Sequence, residues 1–297
     1  MIYRADSFLS NKNMLTVLEA IKLSTDYLEK KGVESARTNS ELLLAEILNC
    51  KRLELYLAFD KPLSEEEVIA YREYLKKRGM RIPLQYILGY VDFYGYKFIV
   101  DQNVLIPRPE TELLVEQVIK DNSAAGELRI IDIGSGCGNI SIVIADKMFN
   151  SDVTGIDISE KAILISEKNR DALLKKNNLN FLKFDILNDD IEVLGKFDLV
   201  VSNPPYISLE DYNGLEPELK NYEPKISLTD NSDGLTFYKK IISVSKKILN
   251  PKGQLYFEIG KGQYKFITGM MIENGFSNLK IIKDYSGIER IIKGELL

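Results

Sequence analysis

Five short runs rich in branched apolar residues, "RIIDI" (129–133), "DVTGID" (152–157), "LNFLKFD" (179–185), "FDLVVS" (197–202) and "GQLYFEI" (253–259), recur along the second part of the chain. Most are separated by helix-length segments. Strands joined by crossover helices pair in parallel, and a parallel sheet must be covered on both faces. The tail "NLKIIKDYSGIERIIKGEL" differs, with two strands around the turn "DYSGIE" that predict an antiparallel hairpin on one side of the sheet. The expected fold is therefore α/β and Rossmann-like, a mostly parallel seven-stranded sheet with a C-terminal antiparallel hairpin.

The first part of the chain has another texture. Residues 13–80 carry helical periodicity: "MLTVLEAIKLSTDYLEKKG" ends on a glycine, and Ser64 precedes Glu67 at the spacing of a capping box. An all-α helical bundle is expected over 1–84, then a linking β-hairpin over 85–106 from the aromatic-rich "LQYILGYVDFYGYKFIVD", then the α/β domain over 107–297. About a dozen residues precede the first helix.

Composition excludes whole classes of chemistry. The chain has no histidine, so Ser-His-Asp triads, Cys-His pairs and histidine-ligated zinc are impossible. Cys50 and Cys137 form neither a metal spacing nor a disulfide framework, so no metal is expected and a reducing, cytoplasmic setting is. No apolar run approaches a membrane span, and "MIYRADSFLSNKN" lacks the features of a secretory signal, so no membrane partner is expected. A net charge of -5 disfavours sequence-blind contact with nucleic acid.

"IIDIGSGCGNISIVIA" reads as a strand, a turn holding Gly134, Gly136 and Gly138, and a helix. Such a turn lets backbone approach a ligand, and the helix start favours a negative group there. Asp157 ends the next strand, where doubly wound folds place an acid for ribose hydroxyls. The spacing G-x-G-x-G is similar to the turn of S-adenosylmethionine-dependent methyltransferases, although a dinucleotide ligand stays open. Asp185, at the third strand's end, either reaches the adenine side of the pocket or is an exposed strand-end acid. Cys137 reads as a small residue that fits.

The fourth strand delivers "SNPPYI" (202–207) to the crevice beyond the strand ends, where open parallel sheets bind ligands. The prolines hold Asn203 and Pro204 extended and donate nothing, leaving carbonyl oxygens free to accept. With the Asn203 side-chain oxygen they suit a planar –NH₂ group. Its lone pair is delocalised, and two acceptors on its N–H bonds aim that lone pair at a methyl on sulfonium. Tyr206 adds a flat face for the target or the sulfonium.

Together, "PRPETE" (107–112), "DIGSGCGNI" (132–140), "SNPPYI" and "FEIG" (257–260) resemble the release-factor glutamine methyltransferases, the PrmC/HemK family, over nearly the whole chain. The resemblance implies an S-adenosylmethionine-dependent methyltransferase domain after the bundle, releasing S-adenosylhomocysteine as product. It implies methyl transfer to the side-chain amide N5 of the glutamine in the Gly-Gly-Gln motif of class-1 peptide chain release factors. It further implies cofactor contacts at Gly134, Ser135, Gly136, Cys137, Gly138, Asp157, Asp185, Ile186 and Asn203, with Asn203, Pro204, Pro205 and Tyr206 holding the glutamine. "PRPETE" reads equally as a helix start, through Pro109, Glu110 and Glu112, and as a wall of the glutamine pocket, through Pro107 and Arg108. "ISLEDYNGLEPELKNYEPKISL" departs from the pattern as a long loop beside the site, expected to be mobile. An adenine-N6 DNA or RNA methyltransferase is the rival, since an Asn-Pro-Pro-Tyr grip also works on an exocyclic amine. Such an enzyme needs a basic face and a target-reading domain. An NAD-linked dehydrogenase or a nucleotide-binding module is the rival from another class.

Overall fold

A computed structural model describes residues 14–176 and 178–297. Residues 1–13, most of the segment before the first helix, lie outside them. The chain divides between Leu88 and Gly89 into two compact units.

The first unit holds helices α1 (Val17–Lys30), α2 (Ala36–Ile47), α3 (Glu65–Gly79) and the short α4 (Leu84–Leu88), with a 3-10 turn at Arg52–Leu57. Capping boxes start two of them: Thr16 and Glu19 exchange bonds with each other's backbone, and so do Ser64 and Glu67. Gly32, at φ +71°, follows α1 in a conformation that glycine adopts without strain. Val17, Ile21, Leu43, Leu44, Leu55 and Tyr71 are buried together as the unit's core.

The second unit opens on a hairpin narrower than the sequence suggests, with strands β1 (Tyr90–Phe93) and β2 (Tyr96–Ile99). Residues 84–88 are helical instead, with Leu84, Ile87 and Leu88 serving the bundle core rather than a strand. Tyr94 and Gly95 both have positive φ, as a two-residue turn matched to strand twist requires. The hairpin packs on its own unit: Asn169 accepts from the Ile99 amide at 2.7 Å and donates to its carbonyl at 3.0 Å.

Helix α5 (Pro109–Asn122) follows, starting on proline with Glu110 and Glu112 in its first turn. The remaining elements are β3 (Arg129–Ile133), α6 (Asn139–Lys147), β4 (Asp152–Asp157), α7 (Glu160–Leu173), β5 (Leu179–Lys183) and β6 (Phe197–Ser202). Then come α8 (Leu209–Asn213), α9 (Pro217–Tyr222), α10 (Thr236–Ile248), β7 (Leu249–Glu258), α11 (Tyr264–Glu273), β8 (Phe276–Lys283) and β9 (Glu289–Leu296). The sheet order is β5-β4-β3-β6-β7-β9-β8. Its first five strands are parallel, while β9 runs antiparallel to both β7 and β8 and lies between them.

Alternation along β3 shows how the sheet is covered. Ile131 and Ile133 join the core beneath α10 and α11, whereas Asp132 points to α6, where Ser141 donates to it at 2.5 Å. Strand order reverses between β3 and β6, so the ends of these two strands frame the crevice where a ligand fits.

The acidic stretch after "SNPPYI" is not structureless: α8, α9 and a 3-10 turn at Lys225–Ser227 occupy it, and Ile207 bridges to Thr229. Asp230 closes it by accepting from the amides of Ser232, Gly234 and Thr236. Among the described residues no helix is long and apolar enough to cross a membrane.

Candidate active site

Two cavities meet at the β3/β6 reversal, and Asn203 and Pro204 line both. The larger is also lined by Gly134, Gly136, Asp157, Asp185, Ile186 and Pro205. Arg108, Tyr206 and Glu258 line the smaller.

The three glycines of the turn are not equivalent. Gly134 and Gly136 have φ of +81° and +56°, and a Cβ on either would meet nothing within 4 Å, so both face open space. Gly138 is a packing residue: a Cβ there would lie 2.8 Å from the Phe181 ring and 3.1 Å from Ile142 and Ser166. The turn's amides serve the protein itself. Gly134 and Ser135 donate to the Ile156 carbonyl, Gly136 to Asp157 Oδ2 at 2.9 Å and Gly138 to the Ser135 carbonyl. The turn therefore offers a ligand shape and proximity more than free donors.

Asp157 accepts from the amides of Gly136 and Ser159, one on each oxygen. Burial pushes its carboxyl up, opposed by those two amides. Each oxygen keeps a further lone pair, the acceptor set that a pair of ribose hydroxyls needs. Ile158, an apolar side chain 42% exposed, and Ile186 wall the same cleft, suiting a flat aromatic ring. A nucleoside with a short charged tail fits this combination of an acid, two glycines facing open space and apolar walls. Asp185 is held in its own loop, accepting from the Leu187 amide and from Asn188 Nδ2. Ser135 and Cys137 are buried behind the turn, and burial pushes the Cys137 thiol up to about 12, as suits a space-filling residue.

The strand ends are tied together. Ser202 Oγ donates to the Ile133 carbonyl at 2.6 Å, which brings the Asn-Pro-Pro-Tyr segment against the glycine turn. Gln263 Nε2 donates to the Tyr206 carbonyl at 2.9 Å, and Gly234 approaches so closely that a Cβ there would sit 2.3 Å from that oxygen. Among the described residues, nothing donates to the Pro204 carbonyl or to Asn203 Oδ1. Tyr206 faces the smaller cavity and Pro205 the larger. Burial and the neighbouring Glu258 push the Tyr206 phenol up, so it stays a donor. Pro107 is buried behind Arg108, which pairs with Glu223 at 2.5 Å.

Sequence reasoning missed Thr111 and Glu258 as individuals. Glu258 is 1% exposed, and Thr111 Oγ1 donates to it at 2.7 Å. The one available signal was a carboxylate ending the otherwise apolar run "LYFEIG".

Residues 19–89 match the family described as the PrmC N-terminal domain, and residues 125–287 match the one described as a methyltransferase domain. A release factor glutamine methyltransferase of Fusobacterium nucleatum subsp. nucleatum is 43% identical over 279 residues, covering 93% of this chain and 77% of the relative. One from Geobacter sulfurreducens is 38% identical over 286 residues, covering 95% and 97%. Among solved structures, a methyltransferase from Pyrococcus furiosus superposes with a TM-score of 0.50 at 21% identity, covering 68% of this chain and 90% of that one. The hMettl16 catalytic domain, in complex with MAT2A 3′UTR hairpin 6, gives 0.56 at 16% identity, covering 76% and 82%. These two likenesses show the shared methyltransferase fold. With S-adenosylmethionine as the methyl donor for which the cleft is built, the chain belongs to the release factor glutamine methyltransferase family.

Proposed function

We propose that this protein transfers a methyl group to the side-chain amide nitrogen, N5, of the glutamine in the Gly-Gly-Gln motif of class-1 peptide chain release factors, supporting translation termination. One observation carries the reading: two oxygens to which no described residue donates, Asn203 Oδ1 and the Pro204 carbonyl, stand at the wall shared by a nucleoside-sized cleft and a smaller pocket.

When bound, S-adenosylmethionine supplies an electrophilic methyl on a sulfonium. Gly134 and Gly136 admit it closely, Asp157 holds the ribose, and Ile158 and Ile186 flank the ring, with Asp185 at the rim. Ser135, Cys137 and Gly138 act from behind by keeping the turn in shape.

In the smaller pocket Asn203 Oδ1 and the Pro204 carbonyl each accept one N–H of the glutamine amide. As the nitrogen gives up its conjugation and gains positive charge, both bonds strengthen, so these acceptors bind the transition state better than the substrate. The methylated amide is acidic enough to lose its extra proton to water, and no imidazole is required. Tyr206 walls the amide with its ring, while Pro205 borders the donor and Arg108, backed by Pro107, borders the pocket mouth. The reading also puts the protein in the cytoplasm, without a membrane partner and without a stable hold on nucleic acid, in keeping with its net charge of -5.

The test is transfer of labelled methyl to purified release factor, DNA and ribosomal RNA side by side. Label is expected in the release factor, at the glutamine; label only in nucleic acid would overturn the reading in favour of an adenine-N6 enzyme.

A further inference from the structure

The Asn203 side chain has two ends of nearly the same shape and opposite polarity. Turned one way it presents an acceptor to the pocket, and turned the other way a donor that repels an incoming –NH₂ group. Shape alone does not choose between them.

A relay does. Glu258 ends β7, whose Phe257 pairs with Ser202, so the carboxylate lies beside the residue that follows β6. Thr111, in the first turn of α5, donates its single hydroxyl proton to Glu258 Oε2 at 2.7 Å. With that proton committed, Thr111 can offer Asn203 only a lone pair, and Asn203 Nδ2 donates to Thr111 Oγ1 at 3.2 Å. Oδ1 then points away from Thr111. Tyr206 adds a second, longer donation to Glu258 Oε1 at 3.4 Å. Thr111 is 2% and Glu258 1% exposed, so water does not substitute for either partner.

We propose that Thr111 and Glu258 are positioning residues that set the polarity of the Asn203 amide and so keep Oδ1 toward the substrate nitrogen. This rests on the amide-methylation reading above. Neither residue touches the substrate nitrogen; both act through Asn203.

The experiment uses the full chain with S-adenosylmethionine and purified class-1 release factor, comparing Thr111→Val, Thr111→Ser and Glu258→Gln. Valine keeps the shape and removes the relay, so kcat is expected to fall about 10- to 100-fold, the worth of one buried polar group left unpaired. KM for the release factor and affinity for S-adenosylhomocysteine are expected to stay within about 3-fold. Serine keeps the hydroxyl and is expected to restore kcat to within about 3-fold of the parent. Glu258→Gln, which presents either an acceptor or a donor to Thr111, is expected to lie between. A Thr111→Val enzyme with unchanged kcat overturns the proposal, and so does an equal loss in the valine and serine variants, which would mark a packing role. Should valine also abolish S-adenosylhomocysteine binding, Glu258→Gln decides, and unchanged kcat there overturns the proposal. A parent enzyme that leaves release factors unmethylated takes down the functional reading as well; an active parent with indifferent variants sinks the relay alone.

Discussion

The hydroxyl of Ser202 donates to the carbonyl of Ile133 at 2.6 Å, joining the ends of β6 and β3 where the strand order reverses. Both groups are buried, so removing the donor strands a carbonyl without water. Ser202→Ala is expected to cost about 1–3 kcal/mol of unfolding free energy in urea titration. It is also expected to lower turnover more than donor affinity, because the tie sets the acceptors against the glycine turn rather than shaping the nucleoside cleft.

Asn203→Ala removes one of the two acceptors and leaves the larger cleft intact. Methyl transfer to release factor is expected to fall about 100- to 1,000-fold, the usual loss when one transition-state hydrogen bond is deleted. Calorimetric affinity for S-adenosylhomocysteine is expected to be kept. Near-normal turnover would mean that the acceptor mechanism is wrong.

The glycine turn separates two roles by substitution. Gly138→Ala drives a Cβ into Phe181 at φ +84° and is expected to destabilise by about 2–4 kcal/mol in thermal or urea unfolding. Gly136→Ala meets no such obstacle and is expected to cost about 1–2 kcal/mol, from its positive φ alone. Its main effect should appear as weaker S-adenosylhomocysteine binding, since the new methyl projects into the cleft.

Stability should depend on pH through two buried acids. Burial pushes the carboxyl of Asp132 up to about 7 against the opposing Ser141 bond, and that of Glu258 up to about 7 against the bond from Thr111. Arg290 acts on Glu258 in the same lowering sense, while the charge of Glu110 raises it further. In the unfolded chain both acids titrate near about 4. Between these values the folded state holds more protons than the unfolded one, so stability falls as pH rises through about 4 to 7 and levels off above. Each acid contributes at most about 1.4 kcal/mol per pH unit. Asp132→Asn is expected to remove its share, flattening urea midpoints measured from pH 5 to 8; an unchanged slope would show that Asp132 titrates normally.

Glu223 is 5% exposed and accepts from Arg108 at 2.5 Å and from the Ile106 amide at 3.2 Å, pinning the stretch of α8 and α9 to the start of α5. Arg108→Ala leaves a buried carboxylate without its cation, at a cost of about 3–5 kcal/mol if it stays buried. The cheaper response is local opening, so limited proteolysis should cut within 207–228 in the variant and spare the parent.

What could be read from the sequence follows from how local each cause is. Strands 129–133, 152–157 and 197–202 are apolar runs bounded by turns, and the structure keeps those limits. β5 stops at Lys183, two residues early, because Phe184 and Asp185 already turn toward the cleft, and β7 begins at Leu249, where α10 has just ended. Helices α4, α8 and α9 have five or six residues, too few for a period to show, so "LQYIL" read as strand and the acidic stretch as loop. In the site, Asn203 and Gly136 announce themselves through proline and glycine, whose backbone constraints are visible one residue at a time. Thr111 and Glu258 do not: their bond spans 147 residues, and each looks ordinary alone. The division of labour among Gly134, Gly136 and Gly138 was equally hidden, since it is set by Phe181, some 40 positions further on.

Strand β9 sits inside the sheet between β7 and β8, although it follows every other strand in the chain. During synthesis, then, β7 waits with a naked edge until residues 289–296 have cleared the ribosomal exit tunnel, and the crevice at its tip is not fully braced before that moment. A prematurely ended chain would expose that edge for good, becoming prey for proteases or for another unfinished copy of itself.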